Sequence, residues 1–99
     1  MKGNFDSLVN SPKPVLVDFY ADWCGPCKAL APILKEVKAT LGDTIKIIKI
    51  DVDKHQPLAN KFQVRGVPTL LLFKNGKQLW RQSGVLPKDH ILQIVEQHQ

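Results

Sequence analysis

The feature that most restricts the fold is the junction between an apolar run and a helical pattern, where both cysteines of the chain lie. Residues Val15–Tyr20 are almost continuously apolar, which is typical of a strand buried on both faces. Cys24 and Cys27 follow, and the residues after them have helical spacing. Such a strand delivers two thiols to the start of a helix, where unpaired N–H groups and the helix dipole favour negative charge. Because the thiolate is the attacking species in thiol–disulfide exchange, this junction predicts a redox centre.

The composition is that of an ordinary globular protein, and we expect residues 1–99 to form one domain. Hydrophobic residues make up 43% of the chain and charged residues 23%, enough for one modest core. A bridge between Cys24 and Cys27 would close a very small loop and restrict the unfolded chain little. A purely stabilising role therefore explains the two cysteines poorly.

The ends and the charge of the chain bear on its location and partners. Residues 1–6 contain no apolar core like that of a signal peptide, and no run is long enough to span a bilayer. We therefore expect a cytoplasmic monomer without membrane association. The net charge is +5, but the lysines are scattered and form no basic run, so we expect no nucleic-acid binding.

Spacing and end signals predict four helices. They are residues 5–9 capped by Asn4, residues 27–41 ending at Gly42 with a kink at Pro32, a short helix within residues 53–63 with Pro57 in its first turn, and a last helix beginning at Pro87.

Three apolar runs, and a hairpin signal that follows the third, predict four strands between these helices. They are residues 15–20, 45–52, 69–73 and 77–83, the last two joined by a hairpin at Asn75-Gly76. The order α-β-α-β-α-β-β-α calls for an α/β fold with a parallel strand pair first and an antiparallel hairpin last.

Several motifs in this order resemble the thioredoxin family over nearly the whole chain. They are Val17–Lys28 with its Cys-Gly-Pro-Cys centre, Pro32 in the following helix, Lys49–Asp53, Arg65–Leu70, Phe73–Gly76 and Gly84. The resemblance implies the thioredoxin fold, a central mixed sheet flanked by helices. Too few residues precede Phe5 to form the family's usual first strand, so we expect four strands with the 45–51 strand at an edge. Tyr20 and Asp22 stand where the family often has tryptophan and glutamate.

The resemblance implies a protein-disulfide reductase that carries electrons without a bound cofactor. Cys24 would be the nucleophile that forms a mixed disulfide with the substrate, and Cys27, more deeply buried, would resolve it. The central Gly25-Pro26 pair implies reducing rather than oxidising character. The implied partners are diverse protein disulfides and an NADPH- and flavin-dependent thioredoxin reductase.

Two charged residues stand beside apolar residues of the predicted strands. Burial of Asp18 would raise its pKa, and Lys49 follows Ile45 and Ile47 on one strand face. The resemblance implies that Asp18 accepts the proton of Cys27 through water and that Lys49 modulates Asp18. A structural ion pair without a kinetic role is the alternative.

The resemblance also implies a cis peptide bond between Val67 and Pro68, with the Val67 backbone turned toward an incoming peptide. An apolar substrate-binding surface would surround Cys24. Its expected members are Trp23, Gly25, Pro26, Val67, Pro68, Gly84 and Val85.

Three other functions compete with the reductase. A zinc site would need donors from His55, His90 or His98, none of which stands in a matching paired motif, and we expect no metal. A docking module would use the surface around Trp23 with redox incidental. An oxidase or isomerase of exported proteins would need an export route and a more oxidising potential.

Overall fold

The computed structural model describes the backbone of residues 2–99 and the side chains from Asn4 onward; Met1, the start of the N-terminal segment considered above, lies outside the described residues. A short 3-10 turn, Gly42–Thr44, follows the second helix. The elements in chain order are α1 (Lys2–Val9), β1 (Val15–Tyr20), α2 (Gly25–Leu41), β2 (Lys46–Asp51), α3 (Gln56–Lys61), β3 (Thr69–Lys74), β4 (Lys77–Ser83) and α4 (Lys88–Gln97). The predicted order of helices and strands is confirmed.

The strands form one mixed sheet in the order β2-β1-β3-β4. β1 runs parallel to β2 and antiparallel to β3, and β3 and β4 form the predicted hairpin. The hairpin turns at Asn75 and Gly76, which both have positive φ angles, as a two-residue turn between twisted strands requires. The expected thioredoxin fold is confirmed, with β2 at one edge of the sheet.

Two apolar clusters cover the two faces of this sheet. One joins Leu16 of β1 to α2 and α4, and the other joins Val17 and Phe19 to α1 and to residues of α3. Because side chains alternate along a strand, Asp18 shares the face of Leu16, under α2. β1 is buried on both faces over its first five residues, as its apolar run predicts.

Three predicted helix ends are wrong. Asn4 lies inside α1, which begins at Lys2, so it is not the cap. α2 begins at Gly25 rather than Cys27, because Pro26 suits the first turn, where its missing N–H has no partner to lose. Pro87 is the N-cap of α4: its ψ of 152° is extended, and its carbonyl accepts the N–H groups of His90 and Ile91.

α2 continues through Pro32 to Leu41 as one helix, and the kink at Pro32 stays a prediction. Pro57 lies in the first turn of α3, as predicted. None of the helices in the described part of the chain combines the length and the apolar character needed to cross a bilayer.

Candidate active site

The two cysteines lie at the N-terminus of α2 and form a disulfide. Cys24 is the N-cap residue, and its Sγ accepts the backbone N–H of Cys27 at 3.1 Å. Their Cα atoms are 5.3 Å apart. When the disulfide is reduced, the same N–H and the helix dipole favour a thiolate at Cys24.

Cys24 and Cys27 are buried to nearly the same extent. Cys24 is 3% exposed and Cys27 is 5% exposed, so the expectation that Cys27 is the more buried is wrong. Cys24 caps the helix from outside it, whereas Cys27 is held in the first turn by the backbone. Both pack with Ala21, and the partly buried Tyr20 and Val67 cover them.

The segment before β3 supplies the other side of the site. The Val67–Pro68 peptide bond is cis, as the resemblance implies. The carbonyl oxygen of Val67 lies 3.6 Å from the Sγ of Cys24, although the two residues are 43 positions apart. The N–H of Gly84 donates to the Pro68 carbonyl at 2.9 Å, which brings the end of β4 to the same place.

The predicted binding surface is partly apolar and open. Trp23 is 70% exposed and Val85 is 41% exposed, while Val67 is half-buried and Pro68 is buried. Gly25 and Pro26 are exposed beside the disulfide. The contacts of Cys24 with Val67 and of Pro68 with Gly84 join the three segments that carry the seven predicted residues.

Trp23 is held in place by a residue that the sequence did not single out for this role. Its indole Nε1–H donates to the carboxylate of Asp53 at 2.8 Å. Asp53 follows β2, and its backbone N–H donates to the side chain of Asp51 at 2.9 Å. The two aspartates therefore form a turn, and one of them also orients the indole.

Arg81 of β4 anchors the segment that leads to Val67. Arg81 donates to the carbonyls of Phe62 and Gln63, and Gln63 has a positive φ angle. No sequence motif marks Arg81, because its partners are backbone carbonyls.

Two hydroxyl groups fix the same segment nearer the disulfide. The hydroxyl of Thr69 donates to the Gly66 carbonyl at 2.7 Å and lies 2.8 Å from the hydroxyl of Ser83. Thr69 is fully buried, so these bonds satisfy a polar group that has no access to water.

Asp18 is a buried carboxyl group on the α2 face of the sheet. It is 1% exposed, and neither of its oxygens has a hydrogen-bond partner among the described residues. Burial raises the pKa of Asp18 to about 6, and the positive charge of Lys49 opposes this rise.

Lys49 is the register partner of Asp18 on the neighbouring strand. It is exposed rather than buried along the apolar face, and its ammonium lies 4.8 Å from the centre of the Tyr20 ring. Among the side chains described, no direct ion pair joins Lys49 to Asp18. Lys49 therefore acts on Asp18 through its field and not through a hydrogen bond.

No group of three metal-ligating side chains occurs among the described residues. The two sulfurs are bonded to each other.

The chain is similar to thioredoxins in sequence and structure. The family model named Thioredoxin matches residues 1–97. Thioredoxin Y, chloroplastic, of Oryza sativa subsp. japonica is 50% identical over 94 residues, covering 94% of this chain and 56% of the relative. Thioredoxin of Haemophilus influenzae is 46% identical over 96 residues, covering 96% of this chain and 90% of the relative.

A solved structure of a thioredoxin variant from Halobacterium salinarum superposes with a TM-score of 0.86 at 39% identity, covering 96% of this chain and 82% of that one. The chain spans only 56% to 58% of the length of three chloroplastic relatives. The family model covers nearly all residues, and the cysteine pair stands at its expected place in the fold. The chain belongs to the thioredoxin family.

Proposed function

We propose that this protein is a protein-disulfide reductase that cycles between a dithiol and the Cys24–Cys27 disulfide. The observation that carries the proposal is the position of Cys24: its sulfur caps α2, accepts the N–H of Cys27 at 3.1 Å and lies beside the Val67 carbonyl. A reactive thiolate and a backbone group able to hold an extended peptide are thus next to each other.

The proposed reaction has two exchange steps. The Cys24 thiolate, whose proton has gone to solvent, attacks one sulfur of a substrate disulfide; the substrate S–S bond breaks, and the leaving substrate sulfur takes a proton from solvent. Cys27 then loses its proton to Asp18 through water and attacks the Cys24 sulfur. The bond between Cys24 and the substrate breaks, the Cys24–Cys27 bond forms, and the second substrate sulfur leaves with the proton returned from Asp18. Two electrons and two protons pass to the substrate.

Asp18 is the proposed proton acceptor for Cys27, through water, and Lys49 the residue that tunes it. A carboxyl group with a pKa near 6 is partly protonated at neutral pH and therefore able both to take and to return a proton. Asp18 has no hydrogen-bond partner among the described residues, and this supports the role, because a merely structural carboxylate at this depth is normally paired.

The proposed substrates are proteins bound through their backbone. The carbonyl and N–H groups of Val67, beside the cis bond to Pro68, would pair with an extended peptide, and Trp23, Gly25, Pro26, Gly84 and Val85 would cover its sides. A surface that contacts mainly backbone accepts many sequences.

We further propose that residues 1–99 act as a monomeric single domain recharged by an NADPH- and flavin-dependent thioredoxin reductase. The cytoplasm remains our predicted location. Relatives named chloroplastic make a plastid the competing compartment.

The test is NADPH-coupled reduction of a protein disulfide by the wild type and by the Cys24→Ser and Cys27→Ser variants. Both variants should lose turnover, and only Cys27→Ser should accumulate a stable mixed disulfide with substrate, seen by mass spectrometry. Trapping by Cys24→Ser instead would reverse the two roles.

A variant with both cysteines replaced by serine, and a measured redox potential, separate the competing functions. A docking module would keep its partner's activity when both cysteines are serine, whereas a reductase would not. An exported oxidase would have a potential well above the roughly −270 mV typical of thioredoxin.

A further inference from the structure

The outer edge of β2 carries backbone groups that pair with no strand of the described chain. The N–H groups of Lys46 and Val52 donate to carbonyls of residues next to or in β1, so the even-numbered residues of β2 face β1. The N–H and C=O groups of Ile47 and Lys49 therefore point outward. Among the described residues, β1 is the sole strand neighbour of β2. An exposed strand edge of this kind is a template for pairing with another chain.

Two apolar grooves flank this edge, one on each face of the sheet. The larger, of about 540 Å³, has an apolar floor that includes Phe5, Leu8 and Ile50. Leu8 is 43% exposed there. The smaller, of about 210 Å³, lies between α2 and β2 against Leu34 and Ile47. Because side chains of a strand alternate between faces, a strand added beside β2 would place successive side chains over the two grooves in turn.

The charges of the residues that line the two grooves indicate what kind of segment would bind there. Of the described residues, five lysines and His55 line the grooves, and no aspartate or glutamate does. The lysines are Lys54 and Lys61 in the larger groove and Lys35, Lys38 and Lys49 in the smaller. Lys61 is partly neutralised by Asp6 at 3.8 Å. The remaining positive charge is complementary to an acidic segment.

A second copy of the protein fits this edge poorly. Each copy carries a net charge of +5, and exposed Lys46 and Lys49 lie along the strand. The carboxylate of Asp51, the one acid of β2, is buried and already accepts the N–H groups of Asp53 and Lys54. It is therefore not available to pair with a lysine of another copy.

We propose that the outer edge of β2 is a docking site for an extended acidic segment of a partner protein, which adds to the sheet as a fifth strand. Its backbone pairs with Ile47 and Lys49, its β-branched or other apolar side chains fill the two grooves, and its acidic residues face the lysines. The site does not involve the cysteines, so it holds whether or not the proposed reductase function does.

The probe is a capped eight-residue peptide with four central valine and threonine residues between two glutamates at each end, carrying a fluorophore. We expect saturable binding by fluorescence anisotropy that weakens as salt is raised. A peptide with lysines in place of the glutamates, and one with alternate backbone nitrogens methylated, should bind at least tenfold more weakly.

Two variants locate the site on the protein. Lys35→Glu/Lys54→Glu should lower the affinity roughly tenfold, because two exposed attractions become repulsions. The matched control Lys77→Glu/Lys88→Glu has the same net charge but lies at the hairpin and α4, and it should bind normally. Ile47→Pro removes an outward N–H without removing a bond to β1, and it should also weaken binding. All variants should keep wild-type reductase activity.

Amide hydrogen exchange gives a readout that does not depend on any variant. The amides of Ile47 and Lys49 should exchange rapidly in the free protein and become at least tenfold slower when the peptide is bound. Binding that leaves these two amides unprotected would overturn the proposal. So would equal competition by a single-stranded oligonucleotide, which would reduce the site to a general polyanion surface. Protection that rises with protein concentration alone would overturn it in favour of a dimer.

Discussion

Asp18 has the least favourable surroundings of the charged side chains described. Its carboxyl group is 1% exposed and has no hydrogen-bond partner in the part of the chain that the structure describes, so keeping it in the folded protein costs free energy. That cost depends on protonation, because only the charged form suffers the full loss of solvation. The free energy of unfolding should therefore change with pH in a way that identifies this residue.

The first prediction concerns Asp18→Asn. Burial raises the pKa of Asp18 from 3.8 to about 6, so the folded protein binds the proton more tightly than the unfolded chain does. Stability therefore falls as the pH rises from about 4 to about 6 and stays lower above that range. Since a tenfold change in a proton-binding constant is worth about 1.4 kcal/mol, Asp18→Asn should be more stable than wild type by about 3 kcal/mol at pH 8.

Urea unfolding of the oxidised proteins at pH 8 and pH 3.5 measures this difference. At pH 3.5 the two proteins should be nearly equal, because Asp18 is then neutral. The control is Asp22→Asn, an exposed carboxyl group whose loss should change stability by less than about 0.5 kcal/mol at either pH. An Asp18→Asn protein that is less stable than wild type at pH 8 would contradict the argument.

At the scale of the elements, both ends of α2 are fixed by capping hydrogen bonds. Its first turn is closed by the Cys24 sulfur, and its last turn is closed by Gly42, whose N–H donates to the Lys38 carbonyl. The ammonium of Lys38 in turn donates to the carbonyls of Gly42 and Ile45, at 2.9 and 2.8 Å. These bonds set the direction in which the chain leaves the helix toward β2.

The second prediction is that Gly42→Ala lowers the free energy of unfolding by about 1–3 kcal/mol. Gly42 has φ 57° and ψ −130°, a region that residues with a Cβ atom rarely adopt. A Cβ added there would meet nothing within 4 Å, so the whole cost is in the backbone. Thermal or urea unfolding measures it.

Gly66→Ala is the matched control. Its added Cβ would also meet nothing within 4 Å, and its φ is not positive. It should be neutral or slightly stabilising. Equal losses in the two variants would show that something other than backbone conformation makes Gly42 necessary.

The types of the elements were predictable and their ends were not. Periodicity is a property of whole segments, so the apolar run of β1 and the spacing of α2 were sufficient. Helix ends depend on one or two residues: Asn4 has the chemistry of a cap, but α1 extends past it, and Pro87 precedes its helix instead of opening it.

The site was predictable where its chemistry lies in side chains near the cysteines. The bonds of Trp23 to Asp53, and of Arg81 to the carbonyls of Phe62 and Gln63, join segments far apart in the chain. A single sequence contains no signal for such contacts, because any side chain that has a hydrogen-bond donor and the right length could make them.

For the whole molecule, the strand order predicts how stability is distributed. β1 and β3 have strands on both sides and apolar clusters on both faces, whereas β2 and β4 are edges. Six of the seven residues of β4 are exposed. We therefore expect opening free energies to fall from the centre of the sheet outward.

Native-state hydrogen exchange tests this third prediction. The slowest amides should be those of β1 and β3, and those of β2 and β4 should exchange at least tenfold faster. Guanidinium added below the unfolding transition should reduce the difference in exchange rate between central and edge amides. The reason is that the central amides exchange by global opening, which guanidinium promotes. Edge amides as slow as those of β1 would mean that the sheet opens only as a unit.

The approach of Val67 to Cys24 exists because β1 and β3 are neighbours in the sheet. A cut at the exposed turn of residues 53–55 would leave both thiols and Asp18 on one fragment and Val67, Pro68 and Gly84 on the other. The first fragment would keep both thiols and Trp23 but would lack the Val67 carbonyl that lies beside Cys24. The proposed reductase turnover would then require the two fragments to associate, so recovered turnover in a complementation assay would measure their association.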